Sequence, residues 1–312
     1  MDLALDDLSV RPARADDDAS LLSPEIIGRL GRLSILARKI VSARRNGRRR
    51  TRRVGGGIET IDLRPYDVGD DTRRIAWHAY ARLERLLVRL VADEAPLRLT
   101  LVVDQSGSMS YGTPSKIRQA ARIAAGFAAV ALGGEDRVAL AIGSGGAAQM
   151  HKPVSGRAGL ARLLSMLDRI AAVGSTDLPK AVRTVLDAAP GRGVCIIISD
   201  LFEPQRALAG ALEARRRGHE VAIVEVLAPF EIDPPDLSGL DLEDEETGEI
   251  VELPEHGMRE RFQRSLALHR HQIDEAARSI GAAVVRTTTD EPFETIVTRA
   301  LSAGLLGGGS HS

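Results

Sequence analysis

RLTLVVD, residues 98–104, and GVCIIISD, residues 193–200, are the two stretches that decide the fold. Both are apolar, both are rich in β-branched residues, and each ends in an aspartate. Continuous apolar runs of this length are typical of strands that are buried on both faces. Further strand patterns alternate with amphipathic helical patterns, at residues 136–143, 220–227 and 282–287. The alternation predicts an α/β fold with a doubly wound, mostly parallel sheet covered by helices on both faces.

The segments outside this alternation predict the domain organisation. Residues 1–25 are rich in aspartate and are expected to form a mobile acidic tail. Residues 26–97 are expected to form a basic helical extension, residues 98–305 the α/β domain, and residues 306–312 a flexible tail. Within the domain, residues 229–257 interrupt the alternation with an acidic run around a Thr-Gly turn, which predicts an inserted β-hairpin.

Composition narrows the class of protein. The chain has 312 residues, 44% of them hydrophobic but only 3% aromatic, which predicts a sizeable aliphatic core. The single cysteine, Cys195, excludes a disulfide within the chain and any multi-cysteine metal site. No apolar run approaches the ~20 residues of a membrane-spanning helix, and the acidic N-terminus does not resemble a secretory signal. We therefore expect a soluble, cytoplasmic protein without a transmembrane segment.

The net charge of −1 hides a segregation of charge along the chain. Residues 26–58 contain eleven basic and no acidic residues, whereas residues 225–255 contain twelve acidic and no basic residues. The most basic part, residues 44–53, has three open interpretations. It can be a solvated arm, it can contact a nucleic acid backbone or an anionic membrane, or it can dock on the chain's own acidic hairpin or an acidic partner.

Oxygen-bearing side chains cluster in three of the predicted loops. Asp104, Ser106 and Ser108 follow the first strand, Thr176 precedes a helix, and Asp200 ends the most apolar strand. The carboxyl ends of parallel strands share one edge of a sheet, so we expect these five residues to meet there. Two carboxylates and three hydroxyls suit Mg²⁺, or else Mn²⁺ or Ca²⁺, and not zinc. The hydroxyls would ligate directly and the carboxylates partly through water, which leaves a position open for an Asp or Glu of a partner protein.

This pattern of Asp-x-Ser-x-Ser, a distant Thr and a distant Asp resembles the metal-ion-dependent adhesion site of von Willebrand factor A domains. The resemblance implies a von Willebrand A-like, Rossmann-like fold with Mg²⁺ as the cofactor. It also implies a set of five metal-site residues: Asp104, Ser106, Ser108, Thr176 and Asp200.

Residues 64–82 read RPYDVGDDTRRIAWHAYAR and resemble the signature of the bacterial family called domain of unknown function fifty-eight. The resemblance covers residues 55–305, with one departure at Ala76, where the family often has an acidic residue. Its members are typically encoded beside MoxR-type AAA+ ATPases, which implies a partner or adaptor of such an ATPase and not an enzyme. The candidate partner-docking residues are Arg64, Tyr66, Asp70, Asp71, Arg74 and Trp77.

A structural role competes with docking in this segment. Its aspartates can pair with its arginines and so pin the loop, while Trp77 and Tyr80 are expected to be packing residues and not a stacking platform.

Three functions remain open on the sequence alone. The first is a non-enzymatic, Mg²⁺-dependent interaction module that works in protein-complex assembly or in a chaperone-like role. The second is a metal-dependent phosphoesterase or nuclease that uses the same oxygen ligands to activate water. No histidine and no second acidic cluster lie near the predicted site, and Asp177 is expected to cap a helix, which disfavours hydrolysis. The third is a scaffold whose basic arm holds nucleic acid or membrane.

Overall fold

The structure, a computed structural model, describes residues 20–51, 63–89, 96–143, 149–174, 176–234, 241–243, 250–252 and 258–303. Its helices are α1 (Pro24–Thr51), α2 (Trp77–Leu83), α3 (Lys116–Gly133), α4 (Gly156–Leu167), α5 (Leu178–Ala188), α6 (Pro204–Arg216), α7 (Pro229–Ile232), α8 (Met258–Ser279) and α9 (Phe293–Ala303). Its strands are β1 (Leu63–Pro65), β2 (Leu87–Arg89), β3 (Arg98–Asp104), β4 (Arg137–Gly143), β5 (Gln149–Val154), β6 (Val194–Ser199), β7 (Glu220–Leu227), β8 (Asp241–Glu243), β9 (Ile250–Glu252) and β10 (Ala282–Thr288).

The chain divides into two compact units. The small unit lies within Arg45–Pro96, and the sheet unit lies within Met1–Arg44 and Leu97–Ser312. Among the described residues, no helix carries an apolar stretch long enough to cross a bilayer.

The sheet unit is built on six strands in the order β10-β7-β6-β3-β4-β5. All neighbours pair in parallel except β5, an edge strand that runs antiparallel to β4. The prediction of a mostly parallel sheet flanked by helices is therefore confirmed. From β3 the chain first builds β4 on one side and later returns to β6 on the other. The carboxyl ends of β3 and β6 thus form a topological switch point, the place where ligands bind in open α/β sheets.

Successive side chains of the central strands point to opposite faces and divide the core in two. Leu101 and Ile196 pack into a cluster formed with α1, α3, α4 and α9. Val102 and Ile197 pack into a second cluster formed with α5, α6 and α8. Nearly every core side chain is aliphatic, and Phe127 and Phe293 are the aromatic residues among the largest fully buried side chains described.

Helix α1 is longer than the sequence predicted, and its first half belongs to the sheet unit. Leu30 and Leu33 are buried in the core beneath α3 and α9, although the sequence assigned residues 26–97 to a separate extension. Within the predicted tail, Leu21 also belongs to the core, because its side chain is fully buried and its amide donates to Asp168 at 2.7 Å. The helix continues to Thr51, since arginine is a strong helix former and elongation costs little once a helix exists.

The acidic insert contains a short antiparallel pair in which Asp241 faces Glu252 across β8 and β9. Its turn at residues 244–249 and its flanking segments lie outside the described residues. Predictions for residues 1–19, for the tail beyond residue 303, and for the contacts of the basic arm at residues 44–53 also fall outside them and stay predictions.

Candidate metal centre

Three loops meet at the carboxyl edge of the sheet, beside the switch point. The amide of Gly107 donates to the carbonyl of Gly174 at 2.7 Å, which ties the loop after β3 to the loop before α5. Strand pairing places the end of β6 beside the end of β3. As a result, all five predicted metal-site residues line one groove of about 510 Å³: Asp104, Ser106, Ser108, Thr176 and Asp200.

The hydroxyls of Ser106, Ser108 and Thr176 are candidate cation ligands. The oxygens of Ser106 and Ser108 lie 3.1 Å apart. Neighbouring ligands of an octahedral Mg²⁺ with bonds of about 2.1 Å lie about 3 Å apart. The Thr176 hydroxyl donates to the Gly143 carbonyl at 3.2 Å and accepts from the Gln105 amide at 3.3 Å. A hydroxyl accepts twice, so one of its lone pairs remains for a cation. This donor set fits a hard divalent ion.

The two carboxylates are buried and already held in place. Asp104 accepts hydrogen bonds from the Ser199 hydroxyl at 2.6 Å and from the Ser106 amide at 3.0 Å. Asp200 accepts from the Phe202 amide at 3.2 Å and from the Lys116 ammonium at 2.8 Å. A carboxylate has about four acceptor positions, so each retains capacity for a metal-bound water. That arrangement suits ligation through water better than direct ligation.

Sequence reasoning missed a buried lysine beneath the site. Lys116 is fully buried, and its ammonium contacts Asp200 and also Glu231 of α7, the latter at 2.6 Å. The ammonium lies 4.3 Å from the ring centroid of Phe202. Burial raises the pKa of Glu231, and the neighbouring Lys116 ammonium opposes that rise. One signal pointed to this cluster, because Lys116 is the first residue of α3, where the helix dipole disfavours a cation unless anions lie nearby.

The loop after β6 contains a strained backbone conformation at Leu201. Leu201 adopts a φ of 59°, an uncommon left-handed conformation for a residue other than glycine. The Ser199 hydroxyl accepts from the Leu201 amide at 3.1 Å, and Nε2 of His269 lies 2.9 Å from the Leu201 carbonyl. Strained backbone of this kind concentrates at functional sites, where the surrounding contacts hold it.

The rim of the groove adds an aromatic ring and an ion pair. Phe202 is 51% exposed. Arg206 donates to the Thr176 carbonyl at 3.0 Å and pairs with Glu203 at 2.8 Å. Asp177 accepts from the Lys180 amide at 3.0 Å and caps α5, as the sequence predicted. Across the described residues, no group of three or more His, Cys, Asp and Glu side chains has a metal-binding arrangement, so a cation site here depends on its hydroxyls.

The candidate docking residues lie in the small unit, where several of them stabilise its own fold. Arg64 forms a hydrogen-bonded ion pair with Asp70, and Asp71 caps the short turn Thr72–Arg74 by accepting from the Arg73 amide at 3.0 Å. The amide of Tyr66 extends the β1–β2 pairing by donating to Leu86 at 3.0 Å. These contacts agree with the structural role for the loop.

The aromatic residues of the small unit do not fit the packing prediction. Trp77 is 60% exposed and Tyr80 is 44% exposed, and their rings meet edge to face at 6.3 Å. The buried apolar residues in the described part of this unit are instead Ile75, Ala76 and Val88. Both residues belong to α2, a helix of seven residues none of which is buried.

The part of the chain that matches a known family includes the described residues of the small unit and the candidate metal site. Residues 62–272 match the family described as "Protein of unknown function DUF58". The chain is a member of the DUF58 family. This DUF58 chain is 30% identical over 255 residues to the uncharacterized protein Rv1480 of Mycobacterium tuberculosis, with 80% of each chain covered. It matches the uncharacterized protein Mb1516 of Mycobacterium bovis to the same extent.

Solved structures resemble the DUF58 chain more distantly. BatB, a conserved hypothetical protein from Bacteroides thetaiotaomicron, is 16% identical with a TM-score of 0.44, covering 66% of this chain and 98% of BatB. The SpRpn10 VWA domain is 9% identical with a TM-score of 0.39, covering 66% of this chain and 95% of that domain.

Proposed function

We propose that this protein is a non-enzymatic, Mg²⁺-dependent protein-interaction module with a von Willebrand A-like sheet unit. One observation carries the proposal: three separate loops bring two carboxylates and three hydroxyls to a single groove at the switch point of the sheet. These residue types form a hard oxygen donor set, and the distance between the Ser106 and Ser108 oxygens matches neighbouring positions on an octahedral ion.

Each residue has a distinct part in this proposal. The hydroxyls of Ser106, Ser108 and Thr176 would hold Mg²⁺ directly, and Asp104 and Asp200 would act through water. Because neutral hydroxyls leave most of its charge uncompensated, the ion would supply a strongly electrophilic position for a carboxylate. An Asp or Glu of a partner protein would complete the site, so partner and metal would bind together.

The proposed partner is a MoxR-type AAA+ ATPase or its client, in protein-complex assembly or chaperone-like work. Membership of the DUF58 family supports this choice, because the resemblance noted in the sequence links that family to such ATPases. The six candidate docking residues of the small unit are proposed as a second contact. Trp77, at 60% exposure, is open to such a contact.

A phosphoesterase or nuclease is the second candidate, and one observation favours it. Glu203 places a further carboxylate in the groove, and its side chain is 63% exposed. Two observations oppose it, since Glu203 is paired with Arg206 and no histidine occurs among the described residues that line the groove. Steady hydrolysis of p-nitrophenyl phosphate or its bis ester, lost in Asp200→Ala, would establish this second function in place of the first.

The test is a binding titration between the purified chain and the MoxR-type ATPase of the same genome, in Mg²⁺ and in EDTA. We expect the wild-type chain to bind in Mg²⁺ but not in EDTA, and Asp104→Ala to lose binding in Mg²⁺. Asp187→Ala is the matched control, because that carboxylate is 68% exposed on α5 and lies outside the groove. Equal binding in Mg²⁺ and EDTA, or unchanged binding by Asp104→Ala, would refute the proposal.

A further inference from the structure

The buried lysine faces two acids that have different places in the fold. Asp200 follows β6 and lines the groove, whereas Glu231 lies in α7, the short helix that follows β7 and leads to the acidic insert. Lys116 reaches both, at 2.8 and 2.6 Å. Its side chain is fully buried, and those of Asp200 and Glu231 are 3% and 10% exposed. Charge interactions among these groups are therefore weakly screened by solvent.

A buried ammonium beside a cation site acts against the cation in two ways. It repels a divalent ion directly. It also pairs with the Asp200 carboxylate and so competes with the ion for that carboxylate. Asp104 does not have this conflict, because it accepts from the Ser199 hydroxyl and the Ser106 amide, which carry no charge. The conflict is therefore confined to Asp200.

Glu231 gives the ammonium an alternative partner. Its other carboxylate oxygen accepts from the amide of Ala228 at 2.7 Å, which closes the N-terminal turn of α7 and fixes the carboxylate beside Lys116. Metal at the groove would draw Asp200 toward itself and leave Lys116 paired with Glu231 alone. Metal binding in the groove would then be coupled to the strength of the Lys116–Glu231 ion pair at α7. Such coupling is reciprocal, so a change at α7 would also change metal affinity.

We propose that Lys116 is an internal competitor for Asp200 that keeps metal affinity low and couples the metal site, through Glu231, to α7. This inference rests on the proposed metal site and adds its regulation. The groove would then retain its metal firmly only when a partner carboxylate adds the missing negative charge. Lys116 is a positioning residue in this account, since it touches neither the ion nor the partner.

Two substitutions with opposite expected signs test the competition. Lys116→Met frees Asp200 and should tighten Mn²⁺ binding about tenfold. Glu231→Gln leaves Lys116 to Asp200 alone and should weaken it by a similar factor. Electron paramagnetic resonance of free Mn²⁺ measures both affinities without any partner or activity. A purely structural lysine predicts weaker binding in both variants, because each would disturb the loop that carries Asp200.

The double variant Lys116→Met/Glu231→Gln distinguishes competition for Asp200 from misfolding and from a simple effect of net charge. It removes Lys116 and its second partner Glu231 together, so Glu231 is not left as an unpaired carboxylate and the formal charge of the site is unchanged. Competition predicts tighter binding than wild type, whereas a net-charge effect predicts no change. A second readout is hydrogen exchange of residues 228–233, which Mn²⁺ should slow in wild type and not in the double variant.

The outcomes separate this inference from the proposed function. Wild-type binding with no gain in the double variant would overturn the competition and leave the metal site standing. Binding by the double variant alone would support the competition and show that Lys116 takes the place of the metal charge in wild type. No binding by any folded variant would overturn both.

Discussion

The substitution Gly143→Ala tests the metal site by adding one methyl group next to the candidate ligand Thr176. Gly143 ends β4, its carbonyl accepts from the Thr176 hydroxyl, and a Cβ built on it would lie 2.5 Å from Cγ2 of Thr176. Carbon atoms in contact prefer about 3.5–4 Å, so Gly143→Ala must displace Thr176 by about 1 Å. Metal sites tolerate about 0.2 Å in their ligand distances, so we expect Mn²⁺ affinity to fall about tenfold or more.

Overpacking of this kind costs about 1–3 kcal/mol of the free energy of unfolding. For a domain of this size, that lowers the melting temperature by roughly 2–4 °C for each kcal/mol. Calorimetry measures the melting temperature and Mn²⁺ titration measures the affinity. Gly31→Ala, within α1, is the control, because nothing lies within 4 Å of its Cβ position, and it should lower neither the melting temperature nor the Mn²⁺ affinity.

A rescue variant separates ligand displacement from general damage. Gly143→Ala/Thr176→Ser removes the clashing Cγ2 atom and keeps the hydroxyl, so both stability and Mn²⁺ affinity should return toward wild type. If Gly143→Ala is destabilised but binds Mn²⁺ as wild type does, Thr176 is not a metal ligand and this reasoning fails.

Three further predictions concern the sheet unit. Leu33→Ala should lower the free energy of unfolding, measured by chemical denaturation, by about 2–5 kcal/mol, because Leu33 is buried. Ile35→Ala should lower it by less than about 0.5 kcal/mol, because Ile35 is 60% exposed, and equal losses would mean that α1 is not part of the core. Burial raises the pKa of Glu294, but its hydrogen bonds and charge contact with Arg29 outweigh burial and hold the pKa below its ordinary value. The stabilisation that Glu294 gives through Arg29 is therefore present above about pH 4.3 and lost as the pH falls through the lower native pKa. Wild type and Arg29→Ala should differ by about 1 kcal/mol in the free energy of unfolding at neutral pH, and this difference should narrow in acid; a constant difference would contradict the prediction. Burial raises the pKa of Cys195 to about 12, so dithionitrobenzoate should label it only in denaturant, and rapid labelling of the native protein would contradict its place in β6.

The sequence was most informative where local pattern and tertiary role coincide. The apolar runs at residues 98–104 and 193–200 predicted central strands, because only a sheet covered on both faces buries every side chain of such a run. The same logic placed Asp104 and Asp200 at one edge, since parallel neighbours end together. The five candidate ligands could be predicted because each follows or precedes a strand or helix whose type was clear.

What the sequence could not supply depends on distant contacts. The salt bridge from Lys116 to Glu231 joins residues 115 positions apart, and no local pattern indicates that β7 brings α7 over the start of α3. The first half of α1 was assigned to the extension because the helical period that puts Leu30 and Leu33 on one face does not show which surface that face packs against. The exposure of Trp77 was also unexpected, because the size of a side chain favours burial only where a partner surface exists.

The most direct measurement of the central claim is the anomalous diffraction of a crystal grown with Mn²⁺. We expect one anomalous peak in the groove, within bonding distance of the hydroxyls of Ser106, Ser108 and Thr176, and no such peak in Asp104→Ala. A peak bound to other residues, or crystals of the same fold with no peak in that groove at saturating Mn²⁺ in either wild type or Lys116→Met/Glu231→Gln, would contradict the metal site and the function built on it.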